Sequence, residues 1–353
     1  MIVSLDVADL TDPLVSAVAA AAAGCLPLVG RGDGDALDGA AVAAMRAALA
    51  VAPVDGRVVV GEGEKDDAPM LRPGEPFGRG GTAVDLAVDP VDGTRLAAAG
   101  RPGAMAVAAV TARGGFLDIG PAHYLDKLVT WVPGIGVPGD GPADASSGDL
   151  VAAIPELVAR AAELRGVTAA EVRIAVQERP RNRAHAEAVR ASGAELVAFE
   201  HGEVERGLRA LHGGVSSAAA PDTSGLAGSA DSGGSADSGR LDAVLGIGGA
   251  PEGVIVAGAA RALGGSMLAR FAPQSRREAQ RLRDALGEDA VDVRRGYRLD
   301  ELCPGPAEVA VAAVTRCEIG VSLAGATRTP TGIRVAWWSA DAGRHGSRDL
   351  TGG

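Results

Sequence analysis

The chain has 353 residues, a formal net charge of −11, 47% apolar residues and only 3% aromatic ones. That length makes one large domain or two ordinary ones, with a core built mainly from Ala, Val and Leu. The acidic balance speaks against a nucleic-acid partner held by counterion release, no apolar run approaches a membrane span, and "MIVSLDVADL" lacks the basic region that opens a secretory signal.

In chain order, residues 11–24 read as a helix, with Thr11 at its N-cap and Pro13 in its first turn. "GRGDGDALDG" reads as a loop, and "AAVAAMRAALAVA" as a second helix ended by Pro53. "RVVVGEG" is a short buried strand that stops at Gly61. "TAVDLAVDP" is another, stopped by Pro90. "AMAVAAVTARGGFLDIG" predicts a hairpin around Gly114 and Gly115. From about residue 150 helices and strands alternate: helix "LVAAIPELVARAAEL", strand "EVRIAVQE", helix "NRAHAEAVRASG", strand "AELVAFE" and a short helix from Glu203. Strand "DAVLGIGG" and helix "APEGVIVAGAARALGG" continue this α/β rhythm. Residues 216–239 break it. They consist largely of Ser, Gly, Ala and Asp, contain "SADSG" twice, and offer no apolar face, so they read as a flexible insertion. The segment from Ala340 is polar and expected to fray. Cys25, Cys303 and Cys317 are widely spaced and no CxxC occurs, which predicts reduced thiols in a cytoplasmic protein.

Carboxylates carry the chemical signal. "AVDLAVDPVDGTRL" places Asp85, Asp89 and Asp92 inside an apolar run, where an unpaired acid is costly. Asp89 and Asp92 flank a strand end, and the turn that follows aims the backbone N–H groups of Gly93 and Thr94 outward. Carboxylates hold a hard cation and free N–H groups hold a phosphate oxygen, so one turn offers both halves of a metal–phosphate site. "VVVGEGEKDDAPML" delivers Glu62 and Glu64 from a valine strand, with Asp66 and Asp67 next. So dense a cluster repels itself unless cations neutralise it. Oxygen-only donors favour Mg²⁺ or Mn²⁺ and argue against zinc. Asp38, in an Asp-Gly just before the second helix, and Glu252, in "GIGGAPEGV", complete the set. Taken singly, Asp38 also reads as a helix N-cap and Glu252 as a first-turn acid favoured by the helix dipole.

Together "GRGD…DGAAVAAMR", "GEGEKDDAPML", "VDLAVDPVDGTRLAAAG", "YLDKL" and "GIGGAPEGV" resemble the class II fructose-1,6-bisphosphatases of bacteria, within the lithium-sensitive, metal-dependent sugar and inositol phosphatases. The motifs span most of residues 25–265, and the resemblance is weak beyond about 270. It implies metal ligands at Asp38, Glu62, Asp89, Asp92 and Glu252, with Glu62 and Asp89 shared between ions. It implies substrate contacts at Asp92, Gly93 and Thr94, at Tyr124, at Arg179, Pro180 and Arg181 in "ERPRNR", at the His201-Gly202-Glu203 loop, and at Gly249. By similarity Asp66 and Thr94 orient and deprotonate the attacking water. "ERPRNR" follows a strand, and Arg there can bind a second phosphate bidentately; a solvated helix start is the plainer reading of the same residues. Tyr124 likewise reads as a core residue without the family.

The resemblance implies an α/β fold, a layered α/β/α/β/α arrangement in two halves. Residues 1–145 would carry most metal ligands, 146–339 the sugar-binding loops with the insertion at 216–239, and 340–353 a polar tail. The expected reaction is metal-dependent hydrolysis of the 1-phosphate of fructose 1,6-bisphosphate in gluconeogenesis, by a cytoplasmic homo-oligomer (a dimer or tetramer). The chain departs from the family at His201, where many relatives carry an acid, and at "VAAVTRCEIGV", which replaces a "SATGIT"-like sequence. These departures leave two alternatives open. One is a related phosphatase acting on sedoheptulose 1,7-bisphosphate, an inositol phosphate or a specialised sugar phosphate. The other is a non-catalytic sugar-phosphate sensor, against which Asp66 and Thr94 argue.

Overall fold

With so few rings to fill space, the chain packs by close approach of small residues. The structure, a computed structural model, describes residues 7–61, 71–135, 150–214, 239–288, 292 and 295–351. Glu62 and Asp66 lie outside the described residues, as do residues 216–238 of the Ser/Gly insertion.

The first half runs α1 (Thr11–Cys25), α2 (Gly34–Leu49), β1 (Val54–Val60), β2 (Pro76–Phe77), β3 (Thr82–Asp92), α3 (Thr94–Ala98), β4 (Met105–Ala112) and β5 (Tyr124–Thr130). It continues through α4 (Ile154–Arg165), β6 (Arg173–Gln177), α5 (Arg183–Ala191), β7 (Glu195–Phe199), α6 (Glu203–Leu211), β8 (Ala243–Gly249), α7 (Ala250–Leu263) and β9 (Ser266–Phe271). The last part holds α8 (Arg276–Leu286), β10 (Tyr297–Arg298), α9 (Leu299–Leu302), β11 (Ala307–Ala313), β12 (Cys317–Glu318), β13 (Ser322–Leu323), β14 (Thr327–Thr329), β15 (Gly332–Ser339) and β16 (His345–Thr351). Among the described residues no helix is long and apolar enough to cross a membrane.

One large sheet runs β14–β15–β11–β4–β3–β1–β2, with β16 on β15; a second runs β10–β9–β5–β8–β6–β7, and β12 pairs with β13 alone. Helices α1 and α2 cover the outer face of the first sheet in one apolar cluster. Their crossing is close because Gly24 faces the Ala40 carbonyl and the Ala44 methyl. Helices α6 and α7 fill the space between the sheets, where Val204, Leu208, Val254 and Ile255 meet Val107 of one sheet and Leu125 and Val129 of the other. Helix α4 and Val189 of α5 cover the outer face of the second sheet. The result is the expected α/β/α/β/α layering. Sheet membership cuts across residue 145, however: β5 belongs to the second sheet, and β11 and β15 to the first.

Several local expectations change. Helix α2 begins at Gly34 rather than after Gly39, because Asp33 caps it by accepting from Ala36 N at 3.0 Å. Asp38 therefore sits on the second turn of a helix, and not ahead of one. Thr11 is the first helical residue, with Leu10 at the N-cap. Pro90 does not stop β3. The strand continues to Asp92 through a register shift against β4 between Asp89 and Asp92, and Asp89 Oδ1 accepts from Val91 N at 2.9 Å within it. A bulge is where a strand tolerates a residue with no N–H to donate. The hairpin at Gly114 and Gly115 is absent, since β4 pairs with β3 and β11 whereas β5 pairs with β8 and β9. The segment after Ala340 is no frayed tail: β16 pairs with β15 from Gly332↔Thr351 to Trp338↔His345.

Candidate active site

In the second sheet β6, β7 and β8 are parallel, and their carboxyl ends share one edge. Strand β5 is antiparallel to β8 and starts at that edge, with Tyr124 opposite Gly249. The loops leaving β6, β7 and β8 therefore converge with Tyr124, and the bulged end of β3 meets them from the first sheet. The cleft they enclose has a volume of about 940 Å³. It is lined by Asp92, Gly93 and Thr94 from the β3–α3 turn, by Tyr124, and by Arg179 and Arg181 after β6. His201, Gly202 and Glu203 after β7, and Gly249 and Glu252 at the β8–α7 corner, complete it. Residues from five separate sequence motifs thus share one cleft.

The floor is acidic. Asp92 is 8% exposed, and its Oδ2 is buried without a hydrogen-bond partner among the described residues. Burial pushes its carboxyl well above the ordinary range, and the nearby charges of Glu252, Glu203 and Glu205 push it further. Glu252 is raised for the same reason, burial first and then Glu203. Gly248 and Gly249 make room for this crowding. A Cβ on Gly248 would collide with Glu203 Oε2, and one on Gly249 with Glu252 Oε2. Other buried acids are already partnered. Asp85, 1% exposed, is held by Arg57 at 2.9 Å, Arg113 at 3.2 Å and the Gly114 N–H at 2.7 Å. Asp126 is held by His185 at 2.9 Å and Arg270 at 2.8 Å. Their partners thus separate Asp85 and Asp126, which are held by cations, from Asp92, which faces other acids.

The opposite wall is basic. The Arg181 guanidinium stacks 4.5 Å from the Tyr124 ring centroid while its Nε donates to Ile247 O at 3.0 Å. Arg179 donates to Glu200 O at 2.9 Å. Pro180 opens the short 3₁₀ turn between these arginines and does not itself line the cleft. The His201 imidazole is held below its ordinary pKa by partial burial and by the charges of Arg179 and Arg95.

Asp38 stands slightly apart. It lines an adjoining cleft of about 600 Å³ with Arg31 and Asp33, and that cleft shares Thr94 and Arg95 with the main one. Thr94 Oγ1 links the two by donating to Asp38 Oδ1 at 2.8 Å. Asp89 stands in the bulge at the end of β3, outside the lining of both. Among the described residues, no three His, Cys, Asp or Glu side chains close a metal site by themselves. The floor nevertheless fits a hard cation: its donors are carboxylate oxygens, they lie beneath a cleft, and one is an orphaned buried oxygen.

Sequence reasoning missed three contributors. Lys127, 3% exposed, lies under the floor and bonds Gly249 O and Glu203. Asn182, fully buried, pins the "ERPRNR" turn by accepting from Ile247 N at 2.7 Å and donating to Gln177 O at 3.1 Å. Arg95 lines both clefts. The adjacent Asp126 and Lys127 within the largely apolar strand "LDKLVT" were the available signal for the first.

The family model described as "Bacterial fructose-1,6-bisphosphatase, glpX-encoded" matches residues 8–220 and 232–337. "Fructose-1,6-bisphosphatase 1 class 2" of Escherichia coli (strain K12) is 36% identical over 244 residues. "Fructose-1,6-bisphosphatase class 2" of Escherichia coli O6:H1 and that of Shigella flexneri show the same identity over the same length. The aligned region covers 69% of this chain and 62% of each relative, so the chain spans less than two thirds of their length. With the family match running through both sheets and every wall of the cleft, the chain belongs to the bacterial, glpX-encoded fructose-1,6-bisphosphatase family.

Proposed function

We propose that this chain hydrolyses the 1-phosphate of fructose 1,6-bisphosphate, giving fructose 6-phosphate and inorganic phosphate. The observation that carries the reading is one cleft with a buried Asp92 carboxylate at its floor, its Oδ2 without a hydrogen-bond partner among the described residues, and Arg181 stacked on Tyr124 at its wall. Acids wait for cations at one end, and an arginine suited to phosphate waits at the other.

The family is metal-dependent. We assign Mg²⁺ or Mn²⁺ to this chain because the donors are hard oxygens. Asp38, Asp89, Asp92 and Glu252, with Glu62 from outside the described residues, would hold the ions. Bound there, the metal lowers the pKa of water and neutralises charge on the reacting phosphate. Thr94, with Asp66, orients the water so that its oxygen bonds to phosphorus as the P–O bond to the C1 oxygen breaks. The water gives up a proton toward Asp66 as it attacks, and the leaving oxygen takes up one, so the ester and water become the alcohol and phosphate. The Gly93 and Thr94 N–H groups hold phosphate oxygens, Arg179 and Arg181 anchor the distal phosphate, and the His201-Gly202-Glu203 loop meets the sugar hydroxyls. Transition-state charge is spread over the phosphoryl oxygens, so positioning and electrostatics carry the catalysis.

The test is phosphate release from fructose 1,6-bisphosphate, sedoheptulose 1,7-bisphosphate and inositol phosphate, first in excess chelator and then with Mg²⁺ or Mn²⁺ restored. The expected outcome is no release in chelator, recovery with metal, and preference for fructose 1,6-bisphosphate. Full activity in chelator would refute the metal mechanism, and preference for another ester would refute the substrate.

A further inference from the structure

Strand β5 carries two consecutive charged residues in an apolar run, and the pleat sends them to opposite faces. Asp126 points toward His185 and Arg270. Lys127 points the other way, into the layer of α6 and α7, with Leu125 and Val129 on the same face of the strand. An ammonium this deeply buried is costly unless it is paired. Lys127 Nζ donates to Gly249 O at 2.5 Å and pairs with Glu203 Oε1 at 2.8 Å. Glu203 Oε2 accepts from Gly249 N at 3.2 Å, which closes a ring of three residues from three elements. Two glycines make the ring possible. Gly248 leaves space for the Glu203 carboxylate, and Gly253 leaves space for Leu125 and the Lys127 stem, which a Cβ there would crowd. Glu203 also lines the cleft, immediately after Gly202, whose φ of +81° turns the chain into α6.

We propose that Lys127 is a positioning residue that sets the orientation of the Glu203 carboxylate for the hydroxyl groups of a sugar substrate. Each Glu203 oxygen uses one lone pair inside the ring, to Lys127 or to Gly249 N. The remaining acceptor capacity is turned to the cleft, where only a donor can satisfy it. A polyol supplies O–H donors at that point. Lys127 has no contact with the cleft and acts through Glu203. Because the same ammonium holds Gly249, it also fixes the His201-Gly202-Glu203 loop against the β8–α7 corner. The proposal rests on the reading of the cleft as a sugar-phosphatase site.

The experiment is a double-mutant cycle with Lys127→Met, Glu203→Gln and the double variant. Kinetics are measured on whichever sugar bisphosphate the wild-type protein turns over. Met keeps the aliphatic stem and removes the charge, so packing is largely preserved. Each single substitution should raise KM about 10–100-fold, the usual range for a lost charge-assisted hydrogen bond. The double variant should be no worse than the worse single, because the two residues act as one unit. Calorimetric titration with Mn²⁺ alone should give affinities within about threefold of wild type in all three. Multiplicative losses in the double variant, or collapse of Mn²⁺ binding in Lys127→Met alone, would overturn the proposal. If Lys127→Met fails to fold because Glu203 is left buried and unpaired, the double variant decides. It should fold and match Glu203→Gln in KM, and its failure to fold would assign Lys127 to stability instead. An error in the fructose 1,6-bisphosphate reading would appear earlier, in the wild-type substrate panel.

Discussion

Thr94 has one hydroxyl proton and two acceptors within reach, Asp38 Oδ1 at 2.8 Å and Val91 O at 3.1 Å. Its proton can go to the Asp38 carboxylate or to Val91 O, and its oxygen lone pairs stay free to accept from a water, which suits a residue that orients a nucleophile. Thr94→Ala should therefore lower kcat by roughly 10²–10⁴, the range for a positioned proton-transfer group, while Mg²⁺ affinity stays within a few-fold. Thr94→Ser should recover most of the loss. Steady-state kinetics beside calorimetric metal titration make the check, and a parallel fall in metal affinity would place Thr94 in the metal site rather than with the water. The same separation of roles holds among the acids. Asp85 and Asp126 are buried with arginine partners and support the fold, whereas Asp92 is buried beside other acids and calls for a cation. Composition alone could not divide them, because all three are aspartates in apolar strands.

The β8–α7 corner shows how an element prepares a site. Gly249 has a φ of −59°, which any residue can adopt, so its lack of a side chain serves space and not backbone strain. The atom that an added methyl would strike is the far end of Glu252. Gly249→Ala should therefore fold with nearly wild-type thermal stability while Glu252 swings aside. Activity should fall at least about 10²-fold, comparable to loss of an electrostatic catalytic group. Glu252→Gln should lose as much, and combining the two should add little. A large drop in Tm for Gly249→Ala would mean that the corner is built for packing alone. Most of this framework was legible in sequence, since period-2 and helical patterns with their Gly and Pro punctuation gave α4 to α7 and β6 to β8 nearly in place. What escaped depended on distant partners. Pro90 passes through β3 because β4 accepts a bulge there, Gly114 and Gly115 fail to make a hairpin because β5 is claimed by β8 and β9, and β16 is ordered by β15 despite its polar sequence. Lys127 meets Gly249 across 122 positions, a pairing that no local pattern announces.

Across the molecule, two places among the described residues hold buried carboxylates whose pKa is raised, and they should respond differently to metal and to pH. The first is the cleft floor, where Asp92 is raised by burial and by Glu252 and Glu203, and Glu252 by burial and by Glu203. The second is Glu308 on β11, 2% exposed, which accepts from the Asp341 N–H at 3.3 Å near the turn from β15 into β16. Burial pushes its carboxyl from 4.5 up to about 7, although the Asp341 N–H pulls the other way. A raised carboxyl binds its proton more tightly in the folded state than in the unfolded one. Between about pH 4.5 and 7 the folded chain therefore holds more protons, and stability falls as pH rises through that window. The full loss above pH 7 is at most about 3.5 kcal/mol, from about 1.4 kcal/mol per pKa unit. The floor acids contribute with the same sign, but a bound cation neutralises them. Saturating Mg²⁺ should thus remove their share of the slope and leave that of Glu308. Glu308→Gln keeps the shape and removes the ionisation. In saturating Mg²⁺ it should raise Tm by a few degrees at pH 8, change it little at pH 4.5, and leave kcat and KM as they were. In excess chelator the variant should still lose stability on raising pH, because the floor acids are then uncompensated. Thermal unfolding at pH values from 4.5 to 8, with metal and with chelator, reads all four conditions. A Tm gain that is equal at every pH would mean that glutamine packs better there, and that the Glu308 proton plays no part.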